Sequence, residues 1–266
     1  MNVARQPIDP ILVVSACIAV VVLAFTTFPL IVAIVSAFSP TTEAAFPPHG
    51  FSLRWFANVF LKPEFSSPFY RSIALAFISA TCAMTIGTMS ALALTNFRFR
   101  GRDAIDAILM SPLIVPQVII GLSFLIFSIR TKLGSGFLTL VLLHCVLTLP
   151  YAVRVIRASL ANVSPTLAEA AVGLGASPAG AFFLVTLPQI KAGIFAASFF
   201  CFVISFDNFT ATAFLAQNNT TLPVEIFYYI ETQVDPTISA LAALLIIVTT
   251  GFVLLTDRLI GINRVT

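Results

Sequence analysis

The sequence predicts an all-α membrane protein of six transmembrane helices with the N-terminus and C-terminus both cytoplasmic. Three observations carry this reading. Of 266 residues, 59% are hydrophobic, the mean hydropathy is +1.03, and the apolar residues gather into six runs long enough to cross a hydrocarbon core of about 30 Å, which takes roughly 20 helical residues. One soluble domain of this length has no interior for so much apolar surface. The 26 Phe against 11 acidic residues fit a helix exterior solvated by lipid.

The first run, 11 to 38, begins ten residues into the chain, has no A-x-A site near its end and exceeds a signal-peptide core, so it reads as a retained, tilted span. Before the second run, 71 to 96, the stretch FSLRWFANVF (51 to 60) carries Trp55, read as an interfacial anchor through its indole. The third, 105 to 128, holds Pro112 and Pro116, which remove two backbone donors four residues apart and predict a kink. Small residues Gly121 and Ser123 follow, suited to close helix contact. The bend is either a hinge, a widening of a cavity, or simple packing around a kink. His144 lies in the fourth run, 135 to 158, with no second His, Asp or Glu near it in sequence, which favours a hydrogen-bonded packing role over a proton relay. The fifth, 190 to 216, places Asp207 mid-span, with Asn208 beside it and Ser205 and Thr212 as polar neighbours at helical spacings. The sixth runs from 237 to 260. Runs of this length satisfy their backbone groups as helices, and the dyad alternation of a barrel is absent.

Lys and Arg set the orientation. A cytoplasmic N-terminus puts Arg5, Arg98, Arg100, Arg102, Arg154, Arg157, Lys191, Arg258 and Arg264 inside, and Arg54, Lys62, Arg71, Arg130 and Lys132 outside. Nine against five agrees in direction with the positive-inside rule. After the fifth run an outer loop carries Glu225, Glu231 and Asp235 without a basic residue. That loop is a solvated acidic face, a docking surface for basic residues of a partner, or a field that guides a cation inward. Cys17, Cys82, Cys145 and Cys201 all fall within spans and read as buried, small apolar side chains without a disulfide or a metal.

Catalytic patterns fail one by one. In GLGASPAG, Pro178 occupies the place of the last glycine of a dinucleotide fingerprint, and Ala181 and Phe182 stand where a P-loop needs Lys and Ser or Thr. Neither a nucleophile elbow nor H-E-x-x-H occurs. A net charge of +3 on so few charged residues gives no reason to expect a nucleic-acid partner. The expectation is a non-catalytic chain with no catalytic residue, bound metal or cofactor of its own.

Between the fourth and fifth runs the chain breaks into EAAVGLGASPAGAFFLVTLP, Glu169 to Pro188. Ser164 and Pro165 pair an N-cap hydroxyl with a first-turn proline, so a short helix starts at 165. Gly175 stands where a left-handed residue ends it. Ser177 and Pro178 repeat the start signal for a second short helix, AGAFFLVT, ahead of Leu187 and Pro188. Two short helices and a glycine corner over 161 to 189 make either a cytoplasmic knob that can dock into another protein or an ordinary amphipathic re-entry segment; the helix signals fit both.

Those residues carry a resemblance. Glu-Ala-Ala, glycine six residues after the glutamate, then nine residues and V-T-L-P resemble the EAA loop of permease subunits of ATP-binding-cassette importers, on Glu169, Ala170, Ala171, Gly175, Val185, Leu187 and Pro188; Val185 stands where the family often has isoleucine. FSLRWFANVF, SPLIVPQVIIGLSFL (111 to 125), LPYAVRVIRASL (149 to 160), SFDNF (205 to 209) and TTLPVEIF (220 to 227) look like the second permease of spermidine/putrescine-type importers. The resemblance implies a single permease domain over 1 to 266 that pairs with a second permease, two ATPase subunits that bind ATP and Mg, and an extracytoplasmic binding protein. It implies that Glu169, Ala170, Ala171, Gly175, Ala176, Ser177, Pro178, Leu187 and Pro188 couple to the ATPase. For a cationic solute such as a polyamine, Asp207 and Asn208 would line the path, with Phe206, Phe209 or Tyr228 offering cation–π surface. Asp207 equally well braces the interface between the two permeases. Another small organic solute, an amino-acid derivative or aminophosphonate, is an alternative cargo. A stand-alone secondary transporter fits less well, because intramembrane ionisable groups are scarce and no internal repeat is evident.

Overall fold

Apolar runs with no water to bond their amides close into helices, and the chain is helical throughout its described core. The computed structural model describes residues 10–42, 46–216, 220–233 and 235–260, with the side chains of 10, 252, 253 and 255–260 outside that description. Arg5 and Arg264 lie outside the described residues, as does the side chain of Arg258. In order the helices are α1 (Pro10–Ser36), α2 (Arg54–Leu61), α3 (Pro63–Asn96), α4 (Arg102–Met110), α5 (Gln117–Arg130), α6 (Phe137–Leu160), α7 (Pro165–Gly173), α8 (Pro178–Ala181), α9 (Leu187–Phe206), α10 (Leu222–Thr232) and α11 (Thr237–Ile260). Among the described residues, four stretches can cross a membrane by length and composition, or five if the bent pair α4–α5 counts as one.

The chain divides into two compact units. In the unit of Pro63–Tyr228, α3, α6 and α9 pack side by side around Ala91, Leu94, Ala152, Val153, Ile156, Ile190, Ala197 and Cys201. Small residues bring the backbones close. A Cβ on Gly87 would stand 2.6 Å from that of Ala152, and one on Gly193 would collide with Ser159. A second cluster, Leu75, Ile120, Leu140, Leu143, Leu147, Ala211 and Leu215, fixes α5 and the segment after α9 against α3 and α6.

In the other unit, Met1–Lys62 with Tyr229–Thr266, α11 meets α1 and α2. Residues 11–31 of α1 are exposed, as a helix facing lipid would be. Trp55 departs from the interfacial reading: it is 3% exposed and donates its indole N–H to the Ser39 carbonyl at 2.7 Å, with the Arg54 guanidinium 4.1 Å from its ring.

Four further expectations are corrected. The third run is not one kinked helix, because α4 with its following turn (Ser111–Leu113) and α5 meet at 103°. The fifth helix ends at Phe206 rather than 216, so Asp207 caps its end. The predicted outer acidic loop is largely the helix α10. Cys17 and Cys82 are exposed, and only Cys201 is buried.

Candidate functional site

Proline and glycine shape the segment between α6 and α9. Pro165 opens α7 at a position where the missing N–H costs nothing. Ser164 has the extended backbone of a cap, but its hydroxyl bonds Thr166 Oγ1 at 2.7 Å instead of a backbone amide. At the other end the Ala176 N–H donates to the Ala171 carbonyl and the Gly175 N–H to the Val172 carbonyl, both at 3.0 Å, with Gly175 at φ +95°. These two bonds are a Schellman turn, which needs a left-handed residue at that place. Ser177 then accepts the Gly180 N–H at 3.0 Å and Pro178 opens the next helix. That helix does not stop ahead of Leu187 and Pro188, as the sequence suggests. One wide π turn, Phe182–Thr186, carries it into α9 and gives the Pro188 ring room beside the preceding carbonyls.

The corner is bare. Glu169, Ala170, Gly175, Ser177, Pro178 and Pro188 are exposed, Ala171, Ala176 and Leu187 half-buried. Leu174 is 91% exposed and Leu184 78%, beside Leu167, Val172 and Phe183. Apolar side chains displayed on a turn that internal hydrogen bonds hold rigid form a surface suited to a partner protein.

A polar centre occupies the end of α9. His144, fully buried, bonds Ser205 Oγ through Nδ1 at 2.7 Å and Thr212 Oγ1 through Nε2 at 2.9 Å. A neutral imidazole has one donor and one acceptor nitrogen, and two hydroxyls satisfy both. Asn208 accepts from the Ala211 and Thr212 amides and the Thr212 hydroxyl, and donates to Gln117 Oε1 at 2.9 Å. Ser205 and Thr212 therefore serve His144 rather than Asp207. Asp207 is exposed; its backbone N–H donates to the Val203 carbonyl at 3.0 Å, and its carboxylate has no hydrogen-bond or ion-pair partner among the described residues. Of the aromatic candidates, Phe206 packs on Phe202 and Phe69. Phe209 packs on Phe227, which also meets Tyr228, at 4.8 and 6.2 Å between ring centroids.

Gln117 is the member of this centre that the sequence reading misses. Its signal is a polar residue directly after Pro116, at the mouth of an apolar run. Pro112 lies in the turn after α4 and Pro116 caps α5, so both sit at the 103° break.

On the acidic segment, Glu225 is half-buried and Glu231 exposed. Asp235 accepts the Thr237 amide N–H and the Tyr229 hydroxyl, each at 2.8 Å, and Lys62 Nζ lies 2.6 Å from that hydroxyl. Partial burial pushes the Asp235 carboxyl up, but the Thr237 and Tyr229 bonds and the Lys62 charge outweigh it and hold the group below its ordinary value.

Several helices apolar and long enough to cross a bilayer, with a rigid exposed corner and a polar centre at two helix breaks, define a multi-pass membrane protein. The family model described as "Binding-protein-dependent transport system inner membrane component" matches residues 83–263, and the chain belongs to that family. It is similar to the putrescine transport system permease protein PotI of Escherichia coli strain K12, 33% identical over 205 residues that cover 74% of this chain and 73% of that one. It is also similar to the spermidine/putrescine transport system permease protein PotC of Haemophilus influenzae, 28% identical over 245 residues, 92% and 95% of the two chains. Among solved structures, a bacterial ABC transporter involved in the import of the acidic polysaccharide alginate shares the fold at a TM-score of 0.70 and 14% identity over the whole of both chains. The protein is thus a multi-pass inner-membrane transport subunit and not an enzyme.

Proposed function

We propose that this chain forms half of the translocation path of an ATP-driven importer for a small cationic solute, a polyamine of the putrescine or spermidine type. The observation that carries the importer reading is the exposed corner at Glu169–Pro188, rigid through its own hydrogen bonds and bare of partners in the isolated chain. A nucleotide-hydrolysing subunit gripping Leu174 and its neighbours would transmit its closure through that corner, with Glu169 fixing the pose by charge-assisted hydrogen bonds. The full assembly pairs this chain, as one permease domain, with a second permease, two ATPase subunits that hold ATP and Mg, and an extracytoplasmic binding protein. The six crossings are α1, α3, the α4–α5 pair, α6, α9 and α11, with both termini and the 161–189 segment cytoplasmic.

The polyamine reading rests on the names of the relatives and on Asp207, an unpaired carboxylate at the end of α9. Phe209 and Tyr228, joined through Phe227, offer ring faces to an ammonium group. Glu225, Glu231 and Asp235 on the outer side receive the solute or its binding protein.

Proteoliposomes holding the whole complex test the coupling. A Cβ on Gly175 meets nothing within 4 Å, so Gly175→Trp acts through the left-handed backbone and through the bulk it presents to the partner. With Gly175→Trp or Glu169→Lys, ATP hydrolysis continues while solute uptake falls at least tenfold. Normal uptake with either change removes the corner from the coupling path.

A further inference from the structure

From the end of α3 into α4 the chain reads FRFRGRDAIDAIL. Phe97 and Phe99 are 64% and 40% exposed. Arg98 and Arg100, which alternate with them, are exposed and have no hydrogen-bond or ion-pair partner among the described residues. Arg102 donates to the Leu94 carbonyl at 2.8 Å, which folds the Gly101 turn back on the end of α3. Along α4, Ile105 (45%) and Ile108 (69%) stand exposed one turn apart. Leu109 and Met110 pack into the α3–α6–α9 core, and Asp106 is paired with Arg157 at 2.8 Å. A shallow notch of about 270 Å³ opens here, lined by Arg98, Phe99, Gly101, Arg102, Asp103 and Ala104.

Water penalises two bare phenylalanines and two bare isoleucines, and hydrocarbon penalises two unpaired guanidinium groups. Only the boundary between the two media suits both sets at once. Position agrees: the 97–101 turn joins the end of α3, a candidate span, to the start of the bent α4–α5 pair, which passes as a span only as a whole, so the turn lies where both leave the bilayer. We propose that residues 97–108 form a bilayer-surface cleat for anionic phospholipid. Arg98 and Arg100 hold headgroup phosphates through forked N–H donors, while Phe97, Phe99, Ile105 and Ile108 enter the acyl boundary. Asp103 takes back one charge, and the strip stays positive because Asp106 is already matched by Arg157. This inference is independent of the solute carried and of which side of the membrane the strip occupies, since it needs only that α3 and the α4–α5 pair leave the bilayer at this turn. The competing occupant is the surface of a partner subunit.

The test uses the purified transporter complex in phosphatidylcholine nanodiscs, with photoactivatable phosphatidylglycerol or photoactivatable phosphatidylcholine added and labelled peptides located by mass spectrometry. The phosphatidylglycerol probe is expected to label 97–108 in preference to the phosphatidylcholine probe. Arg98→Gln with Arg100→Gln should cut that labelling on the order of tenfold while the subunits still co-purify. Ile108→Asp should lower labelling by both probes. If the double variant does not assemble, Arg100→Gln alone is read, with a severalfold loss expected. Equal labelling by the two probes, or labelling unchanged in the arginine variants, overturns the proposal. So does its loss on addition of inorganic phosphate, which would mark a small-anion site, or its appearance only after the partner subunits are stripped away, which would mark a protein interface.

Discussion

In the proposed translocation path, Asp207 is the residue that would meet a cationic solute. A carboxylate facing lipid costs roughly 2.5–3.5 kcal/mol, so an exposed Asp207 whose carboxylate has no partner among the described residues belongs in a wet cavity or against a second permease. Asp207→Asn keeps the shape and removes the charge. Uptake of a cationic solute by the reconstituted complex should fall about tenfold, the worth of roughly 1.4 kcal/mol, and undiminished transport takes Asp207 out of the path. His144 is the opposite kind of residue, spent entirely on structure. His144→Phe leaves the Ser205 and Thr212 hydroxyls facing an apolar ring at about 1–3 kcal/mol for each unsatisfied group, so thermal melting of the purified protein should move down. A hydrogen-bonded packing role for His144 was favoured in the sequence by the lack of a second His, Asp or Glu near it. Its partners were not legible there, because they lie 61 and 68 residues away and are chosen by how α6 and α9 dock.

At the level of elements, apolar runs announce where helices are and say less about where they break. Pro112 and Pro116 mark the third run as bent, but the 103° angle depends on what catches the freed backbone. Here the catch is the Asn208–Gln117 bond together with the close seat of Gly121, where a Cβ would stand 2.7 Å from the Ala211 carbonyl oxygen and 2.9 Å from its Cα. Backbone does not yield as a flexible side chain does. Gly121→Leu should therefore cost about 1–3 kcal/mol, seen as a lower melting midpoint and as weaker cross-linking of a Gln117→Cys, Asn208→Cys pair. The early end of α9 has a related cause. Asn208 turns its carbonyl oxygen to the Ala211 and Thr212 amides, a local bond that competes with the helix, and hydropathy is blind to it.

On the scale of the whole chain, composition was enough to place it in a membrane, and the spaced E-A-A…G…L-P pattern was enough to reach its family. The division into two units was not legible, since it follows from which distant helices meet. Within the unit of α1, α2 and α11, the Lys62–Tyr229–Asp235 group ties the end of α2 to the start of α11, and its stability has a defined pH sense. The Asp235 pKa is lower folded than the roughly 3.9 of an unfolded chain, so this contribution is complete above about pH 4 and fades as pH drops through the folded value. Melting midpoints measured downward from neutral pH should show the loss, and Asp235→Asn should flatten that part of the profile. The π turn before Pro188 has a mechanical consequence. Because it lets Pro178–Phe206 run as one 29-residue helix, about 43 Å long at 1.5 Å per residue, the corner before Pro178 and Asp207 stand at opposite ends of one continuous rod. A tilt of about 10° imposed at Pro178 becomes a stroke of about 7 Å at the far end, several times what it takes to break a hydrogen bond.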